Sequence, residues 1–503
     1  MSAENELNPF VHRLEIPFPR KLQVFFMSVT IAPLRFVFGL ALFMIAWLLG
    51  LLFTAGSPEE LTEPLSDFRT FLYNVLQASG RAIWKILGFS FVVKGKRAPS
   101  KEAPIAILAP HTSPFDIALW FACAPLPAAF SKRENFKLPL FGTLVRAVQP
   151  VLVVRDDETS RQSALGQIQH RVSHASRWPQ LNVFPEGTST NGQCLIMFKV
   201  GAFLSGTPVQ PVTIRYTNNW NTYTNTESSA GYFKVLWLTL CQFWSVIEVD
   251  YLPVYVPSRQ EKADAKFFAR NVRALMAEKL GLPCTEHTFR DRLLMKLAGK
   301  LGFPKQFIST EFHKFSVKYG VSFDQARSWL ADFAAMSKRN SRRQGHVALR
   351  EFAGFLGLPP TLAVRDLFEV HDSTMRGFVS FNQYVAGMAL LCSTATAENT
   401  LEISSEIFNQ YLGGGGSAPS VICVGETKEL YFDMAVVARE IEKRRRCAGG
   451  VLLPVKQFFA RRPEYAMLCL WYQLMLKKGA DGAAHVNSSA SLSSELRRRK
   501  GGA

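Results

Sequence analysis

A chain of 503 residues, 48 % hydrophobic and 19 % charged, is too long for one small domain and too apolar for a disordered chain; roughly two to four folded units are expected. Its net charge of +18 points to anionic partners, whether nucleic acid, a phospholipid surface or a phosphorylated substrate. The eight cysteines are scattered with no CxxC, which excludes a disulfide framework and a cysteine-built zinc site and fits a reducing, cytosol-facing environment.

The first residues, "MSAENELNPFVHRLEIPFPRK", lack the basic start and small-residue cleavage site of a signal peptide. Residues 36–56 then run 21 positions without a charge, enough to cross about 30 Å of hydrocarbon as a helix. Residues 22–34 are also apolar, but Pro33 and Arg35 interrupt them. Residues 1–60 are therefore expected to anchor the chain in a membrane, either by one crossing or as a re-entrant hairpin. Arg13, Arg20, Lys21 and Arg35 precede the long run while Glu59, Glu60, Glu63 and Asp67 follow it, which puts the N-terminus on the cytosolic side.

Residues 66–93 carry apolar positions at helical spacing and then turn strand-like. Short strand-like runs follow: "IAILAP" (105–110), "QPVLVVR" (149–155), "LNVFPE" (181–186), "TPVQPVTIRY" (207–216) and "VIEVDYLPVYV" (246–256). Helical patterns at 159–178 and 263–280 alternate with them, which predicts an α/β layer with helices over a sheet. "FKVLWLTLCQFWSVI" (233–247) is more apolar than a soluble helix needs, and reads either as core or as a segment lying in a membrane interface.

Past Phe303 the chain turns helical, with two stretches in the outline of calcium-binding helix–loop–helix units. The second loop, 372–383, keeps Gly377 at its turn but offers Asp372, Thr374, Arg376 and Gln383 at ligand positions. The first, 340–351, offers Asn340, Arg342, Gln344 and Glu351. Calcium needs oxygens there and a closing bidentate carboxylate, so both read as calcium-dead relics of EF-hands. "YLGGGGSAPS" (411–420) is a linker. From Arg439 onward 14 Lys and Arg stand against 5 Asp and Glu, half the excess charge, either a solvated tail or a patch drawn to a membrane surface.

Three strand ends carry chemistry, where open α/β sheets place their sites. His111 follows "IAILAP", with Asp116 five positions on; a carboxylate at one ring nitrogen fixes the tautomer of a general base at the other. The two meet only if "TSPF" bends into a helix start, with Thr112 and Ser113 as caps and Pro114 in the first turn. Arg155 follows "PVLVV" and suits a phosphate. "FPEGTSTNG" follows "LNVF", where Gly187 permits close approach and Thr188, Ser189 and Thr190 offer hydroxyls and amides to an anion. Glu186 is the odd member, since a carboxylate repels phosphate; it suits a substrate hydroxyl or the arginine. Lys199, in "MFKVGAF", is a second cation. "HRVSH" (170–174) has no third ligand near, so no metal is expected. A nucleic-acid binder is disfavoured because no basic recognition element interleaved with aromatics is present.

"HTSPFD", "PVLVVRDDETSR", "FPEGTSTN", "MFKVGAF" and "PVQPVTIRY" come in the order and spacing of the PlsC-type glycerolipid acyltransferases, and the chain resembles them. "NPFVHRLEIP", "RALMAEKLGLPCTEHTFRDRLLM" and the degenerate EF-hands extend the resemblance, over about residues 8–400, to the lysophosphatidylcholine acyltransferases with EF-hand tails. The resemblance implies a mixed sheet flanked by helices at 61–300, an EF-hand-like helical region at 301–410, and a linker and basic tail at 411–503. It implies that His111 and Asp116 are the catalytic pair, that Arg155, Glu186, Gly187 and Thr188 hold the phosphate-bearing part of a lysophospholipid, and that Lys199 and, on the last motif's strand, Pro211 also belong to the substrate site. It implies an acyl-CoA co-substrate, no tightly bound cofactor, and location in a membrane, first the endoplasmic reticulum, with the Golgi or lipid droplets as alternatives. The sequence departs at Pro114, where the family has a small or aromatic residue, and at the calcium ligands, which removes calcium from the expectation. The alternatives are a non-catalytic membrane adaptor with an acyltransferase shell, or an acyltransferase for lysophosphatidic acid or another lyso-lipid.

Overall fold

The computed structural model describes residues 7–56, 65–117, 128–132, 140–147, 150–153, 158–218, 220–226, 231–303, 311–337, 345–356, 362–372 and 374–393, with single positions between them. They divide into two compact units, Met1–Phe289 and Arg290–Ala503. Arg155, residues 340–344 of the loop expected at 340–351, and the linker and basic tail at 411–503 lie outside the described residues.

In the first unit the apolar N-terminus forms α1 (Phe18–Val29) and α2 (Ile31–Thr54), divided at Thr30 rather than at Pro33. Pro33 falls in the first turn of α2, where a missing N–H leaves no intrahelical bond unmade. Arg35 does not interrupt the helix either: its guanidinium donates to the carbonyls of Leu240, Gln242 and Phe243. α2 doubles back along α3 (Asp67–Ile86). Gly39, near the start of α2, lies against Leu87 just past the end of α3, and the Phe53 ring is 5.9 Å from that of Tyr73. α2 and α3 thus pack as an antiparallel pair. Ser66 starts α3 by accepting the Arg69 N–H.

β1 (Phe89–Gly95), β2 (Ile105–Ala109), β3 (Ala128–Lys132), β4 (Val151–Val153), β5 (Leu181–Val183), β6 (Val209–Tyr216) and β7 (Ser245–Tyr251) form one mixed sheet in the order β1-β7-β6-β2-β5-β3-β4. The five strands from β6 to β4 run parallel; β7 is antiparallel to β6, and β1 is parallel to β7. Helices α4 (Phe141–Ala147), α5 (Glu158–Ser173), α6 (Tyr232–Leu240), α7 (Arg259–Ala263) and α8 (Ala265–Leu280) lie between and beyond the strands.

Period-two alternation sorts the β2 side chains to the two faces. Ile105, Ile107 and Ala109 join Ala164 and Ile168 of α5 and Phe268, Val272 and Met276 of α8. Ala106 and Leu108 join Phe115, Val235 and the β7 residues Ile247 and Val249. A strand buried on both faces reads as an unbroken apolar run, which is why "IAILA" was legible.

Two elements differ from expectation. Residues 233–247 are not one helix: α6 stops at Leu240, Cys241 caps it, and β7 begins at Ser245. Trp237 Nε1 and Gln23 Nε2 tie α6 and Cys241 to α1, through Ser28 Oγ and the Cys241 carbonyl, at 2.9 and 3.1 Å. β3, "AAFSK", was not foreseen, because it lacks β-branched residues; pairing with β5 and β4 makes it a strand.

The second unit holds α9 (Phe289–Lys300), nearly all of it past the division, then α10 (Phe312–Tyr319), α11 (Phe323–Ser337), β8 (Val347–Ala348), α12 (Leu349–Leu356), α13 (Leu362–His371), β9 (Phe378–Val379) and α14 (Phe381–Ser393). Trp329, Phe333, Phe352, Phe368, Phe381 and Tyr384 pack at its centre, and β8 pairs antiparallel with β9. The loop from Asp372 closes on itself. Asp372 accepts the N–H groups of Arg376 and Gly377 at 3.2 and 2.6 Å, and Gln383 Nε2 donates to Thr374 Oγ1 at 3.1 Å.

Candidate active site

Adjacent parallel strands bring their C-terminal ends to one edge of the sheet, and the order β6-β2-β5 makes neighbours of three segments far apart in sequence. β2 delivers His111, β5 delivers the turn 184–187, and β6 ends at Tyr216.

Past β2 the chain bends into a single 3₁₀ turn, Pro114–Ile117. Ser113 is the cap expected there, its Oγ accepting the Phe115 N–H at 3.1 Å. Thr112 does not cap; its N–H donates to Asp116 at 2.9 Å. The bend sets His111 Nδ1 2.7 Å from Asp116 Oδ2. Asp116 is fully buried, whereas the His111 side chain is 26 % exposed. Asp116 Oδ2 also accepts the Ser113 N–H (3.1 Å), and Oδ1 accepts the Tyr216 hydroxyl (2.6 Å). A carboxylate accepts only, so Nδ1 carries the proton and Nε2 presents its lone pair. The imidazole lies on the Phe184 ring, centroids 4.5 Å apart.

Glu186 sits against the main chain of this pair. It is 1 % exposed, and its Oε2 accepts the His111 main-chain N–H at 2.7 Å. Burial pushes its carboxyl up to about 8, against the pull of the His111 and Ile196 amides, and the Asp116 charge adds to the rise. At neutral pH the Glu186 carboxyl therefore keeps its proton. Gly187 follows at φ 63°, in the left-handed region. A Cβ there would stand 2.6 Å from Lys199 Cε, so the Lys199 side chain lies across the turn. The Lys199 N–H donates to the Pro185 carbonyl at 2.8 Å, and its Nζ is 5.1 Å from the centre of the Phe289 ring.

Three amides of the turn are engaged within the protein. The N–H groups of Gly187, Thr190 and Asn191 donate to the carbonyls of Phe184, His111 and Pro9. Thr188 is buried at 4 % exposure. Asn191 binds the N-terminal segment, its Nδ2 donating to the carbonyls of Asn8 and Val11 at 2.9 Å each. Pro211 is within the sheet, opposite Ile107 of β2, and its carbonyl accepts the Leu252 N–H. Its contacts are thus those of the sheet, behind the His111 turn. β4, which ends two residues before Arg155, is the edge strand, three places from β2 and roughly 14 Å across the sheet. Among the described residues no three His, Cys, Asp or Glu side chains group to hold a metal ion.

Sequence reasoning missed Tyr216, Tyr223 and Phe184. Tyr216 ended a run already read as a strand, but strand order alone puts it beside Asp116. The Tyr223 ring stacks on Tyr216 at 3.9 Å and 12°, and its carbonyl accepts Ser113 Oγ at 2.8 Å.

A family model described as Acyltransferase matches residues 90–215, from β1 to the last residue but one of β6. The chain is 37 % identical over 470 residues to lysophosphatidylcholine acyltransferase 2 of Mus musculus, covering 92 % of this chain and 85 % of the relative. It is 39 % identical to the Homo sapiens enzyme of that name over 80 % of this chain and 74 % of the relative. To lysophosphatidylcholine acyltransferase 1 of Mus musculus it is 36 % identical, over 84 % and 78 %. The crystal structure of the 1-acyl-sn-glycerophosphate (LPA) acyltransferase PlsC from Thermotoga maritima is 18 % identical at TM-score 0.30, covering 52 % of this chain and 95 % of that one. Similarity at this level over 80–92 % of the chain, with the sheet edge that joins His111 to Asp116 inside the matched region, is decisive: the chain belongs to the PlsC-type acyltransferases, on the lysophosphatidylcholine acyltransferase branch.

Proposed function

We propose that the chain transfers a fatty acyl group from acyl-CoA to the free hydroxyl of a lysophospholipid, with lysophosphatidylcholine as the first acceptor and phospholipid remodelling as the setting. The observation that carries this is the 2.7 Å contact from His111 Nδ1 to buried Asp116, which leaves Nε2 as a base at a partly open edge of the sheet. Nε2 takes the proton of the glycerol hydroxyl. The oxygen attacks the thioester carbonyl, the tetrahedral intermediate collapses, and CoA leaves as the thiolate, which recovers the proton from the imidazolium. Asp116 holds the tautomer and offsets the charge on the ring. Lys199, Gly187, Thr188 and Arg155 hold the phosphate-bearing end of the acceptor, with neutral Glu186 beneath and Pro211 shaping β6 behind. No tightly bound cofactor takes part.

The division proposed is an anchor at 1–60, the acyltransferase domain at 61–300, an EF-hand-like region at 301–410 that works without calcium, and a linker and tail at 411–503. The calcium reading is supported by the donor set of the 372–383 loop, where Arg376 and the Gln383 amide stand in place of carboxylates. Membrane attachment is supported by α2, whose 24 residues span about 36 Å with only 22 % of its most apolar stretch buried in the protein. Exposed Phe25, Phe26, Phe233 and Trp244 add to that support, and the endoplasmic reticulum is the first compartment to examine. The test is a panel of lyso-lipids and acyl-CoA donors presented to the purified chain in vesicles. Ester formation matched one for one by free CoA supports transfer. Free CoA with no new ester, or neither product with any pair, refutes it.

A further inference from the structure

We infer that Tyr216 is a positioning residue for the His111–Asp116 pair: its hydroxyl fixes the second oxygen of the Asp116 carboxylate and, through it, how the imidazole is held. The inference rests on the reading of His111 as the base.

The two oxygens of Asp116 are held differently. Oδ2 takes its donors from the same turn, namely His111 Nδ1, Thr112 N–H and Ser113 N–H. Oδ1 takes a hydrogen bond from another element, the Tyr216 hydroxyl at 2.6 Å, across 100 residues of chain. The terminal torsion of a carboxylate has broad wells, so donors on one oxygen leave the group free to rock. A donor anchored in a strand stops it. Tyr216 is so anchored, the last residue of β6 and paired with Ile247 of β7. Its ring stacks on Tyr223, whose carbonyl accepts Ser113 Oγ. Asp116, Tyr216, Tyr223 and Ser113 thus close a circuit that ties the 3₁₀ turn to the sheet and to the segment after it.

The phenol is suited to this task. Burial, and the Asp116 charge beside it, push the Tyr216 hydroxyl well above its usual range, so it remains a donor throughout the working pH range. The titratable groups that face Asp116 among the described residues are His111 on its own turn, Glu186 after β5, Tyr216 on β6 and Tyr223 after it. Tyr216 shares the charge of Asp116. Without that share the carboxylate draws more strongly on the imidazolium, and the proton leaves the ring at higher pH.

The test is Tyr216→Phe in the full chain, purified into phosphatidylcholine vesicles, with labelled acyl-CoA and a lyso-lipid acceptor. The substitution keeps the ring and the stack and deletes one hydrogen bond to a charged group, an interaction whose loss corresponds to roughly ten- to hundredfold in rate. The expected result is a kcat lower by that factor, KM values within about twofold, and the acid limb of kcat/KM moved upward by about half a pH unit. Tyr223→Leu keeps the hydroxyl and removes the stack; a smaller loss with the limb moved the same way is expected. An acid limb that stays unmoved in both folded variants overturns the inference, whether kcat is retained or lowered, and so does a Tyr216→Phe variant with the natural kcat. His111→Ala is run alongside: wild-type transfer by that variant shows the base itself misassigned, a failure distinct from that of Tyr216.

Discussion

Glu186 is a buried carboxyl on which stability and pH are linked. Its ordinary value is 4.5 and burial raises it to about 8 in the folded chain, so folding takes up a proton between those limits. The sign follows directly. A group that binds its proton more tightly when folded contributes fully below about 4.5, and that contribution is lost as pH rises through about 8. At about 1.4 kcal/mol per pH unit the interval corresponds to roughly 5 kcal/mol, a large fraction of the stability of a domain. Glu186→Gln keeps the carbonyl that accepts the His111 N–H and removes the titration. Thermal unfolding of both proteins in detergent micelles, from pH 5 to pH 9, measures the difference, in which the other carboxyl groups cancel. The two midpoints should agree within a degree or two near pH 5. By pH 9 the natural protein should lie roughly 10 °C below the variant, at about 2–4 °C per kcal/mol for a unit of this size. Parallel curves across the range would refute the assignment of a raised, buried carboxyl to Glu186.

Gly187→Ala should lower the unfolding midpoint by the equivalent of about 1–2 kcal/mol, because an L-residue is strained at φ 63°, and should raise KM for the lyso-lipid. Adding Lys199→Ala removes the side chain that the new methyl would meet at 2.6 Å, so the double variant should unfold above the sum of the single losses. Calcium at ~1 mM, which saturates EF-hand sensor sites, should leave the unfolding midpoint of the full chain unchanged against chelator. An upward shift reversed by chelator would show that the 372–383 loop, or a partner loop, still binds the ion.

What could be read from the sequence followed from what each signal encodes. β2 was legible because both its faces are buried, and β5 and β6 because apolar runs end at glycine, proline or charge. β3 was not, since its strand character comes from neighbours on both sides rather than from Ala128 or Ala129. Pro33 and Arg35 looked like interruptions because their local costs are real; the first turn of α2 absorbs one, and the carbonyls at the end of α6 satisfy the other. His111 and Asp116 came from spacing and chemistry. Tyr216 did not, because its nearness to Asp116 depends on β6 lying beside β2, which no local pattern states. The raised carboxyl of Glu186 is hidden for a related reason: it depends on burial, which "FPEGT" does not state.

The central claim is that His111 Nε2 takes the proton from the lyso-lipid hydroxyl while Asp116 holds the ring. The measurement that reaches it most directly is the single-turnover rate of acyl transfer by His111→Ala against the natural protein, in the same vesicles and at matched unfolding midpoints. A general base is worth about 10² to 10⁴ in rate, so transfer by the variant should fall by at least about a hundredfold. A folded His111→Ala that transfers within about threefold of the natural rate would contradict the account.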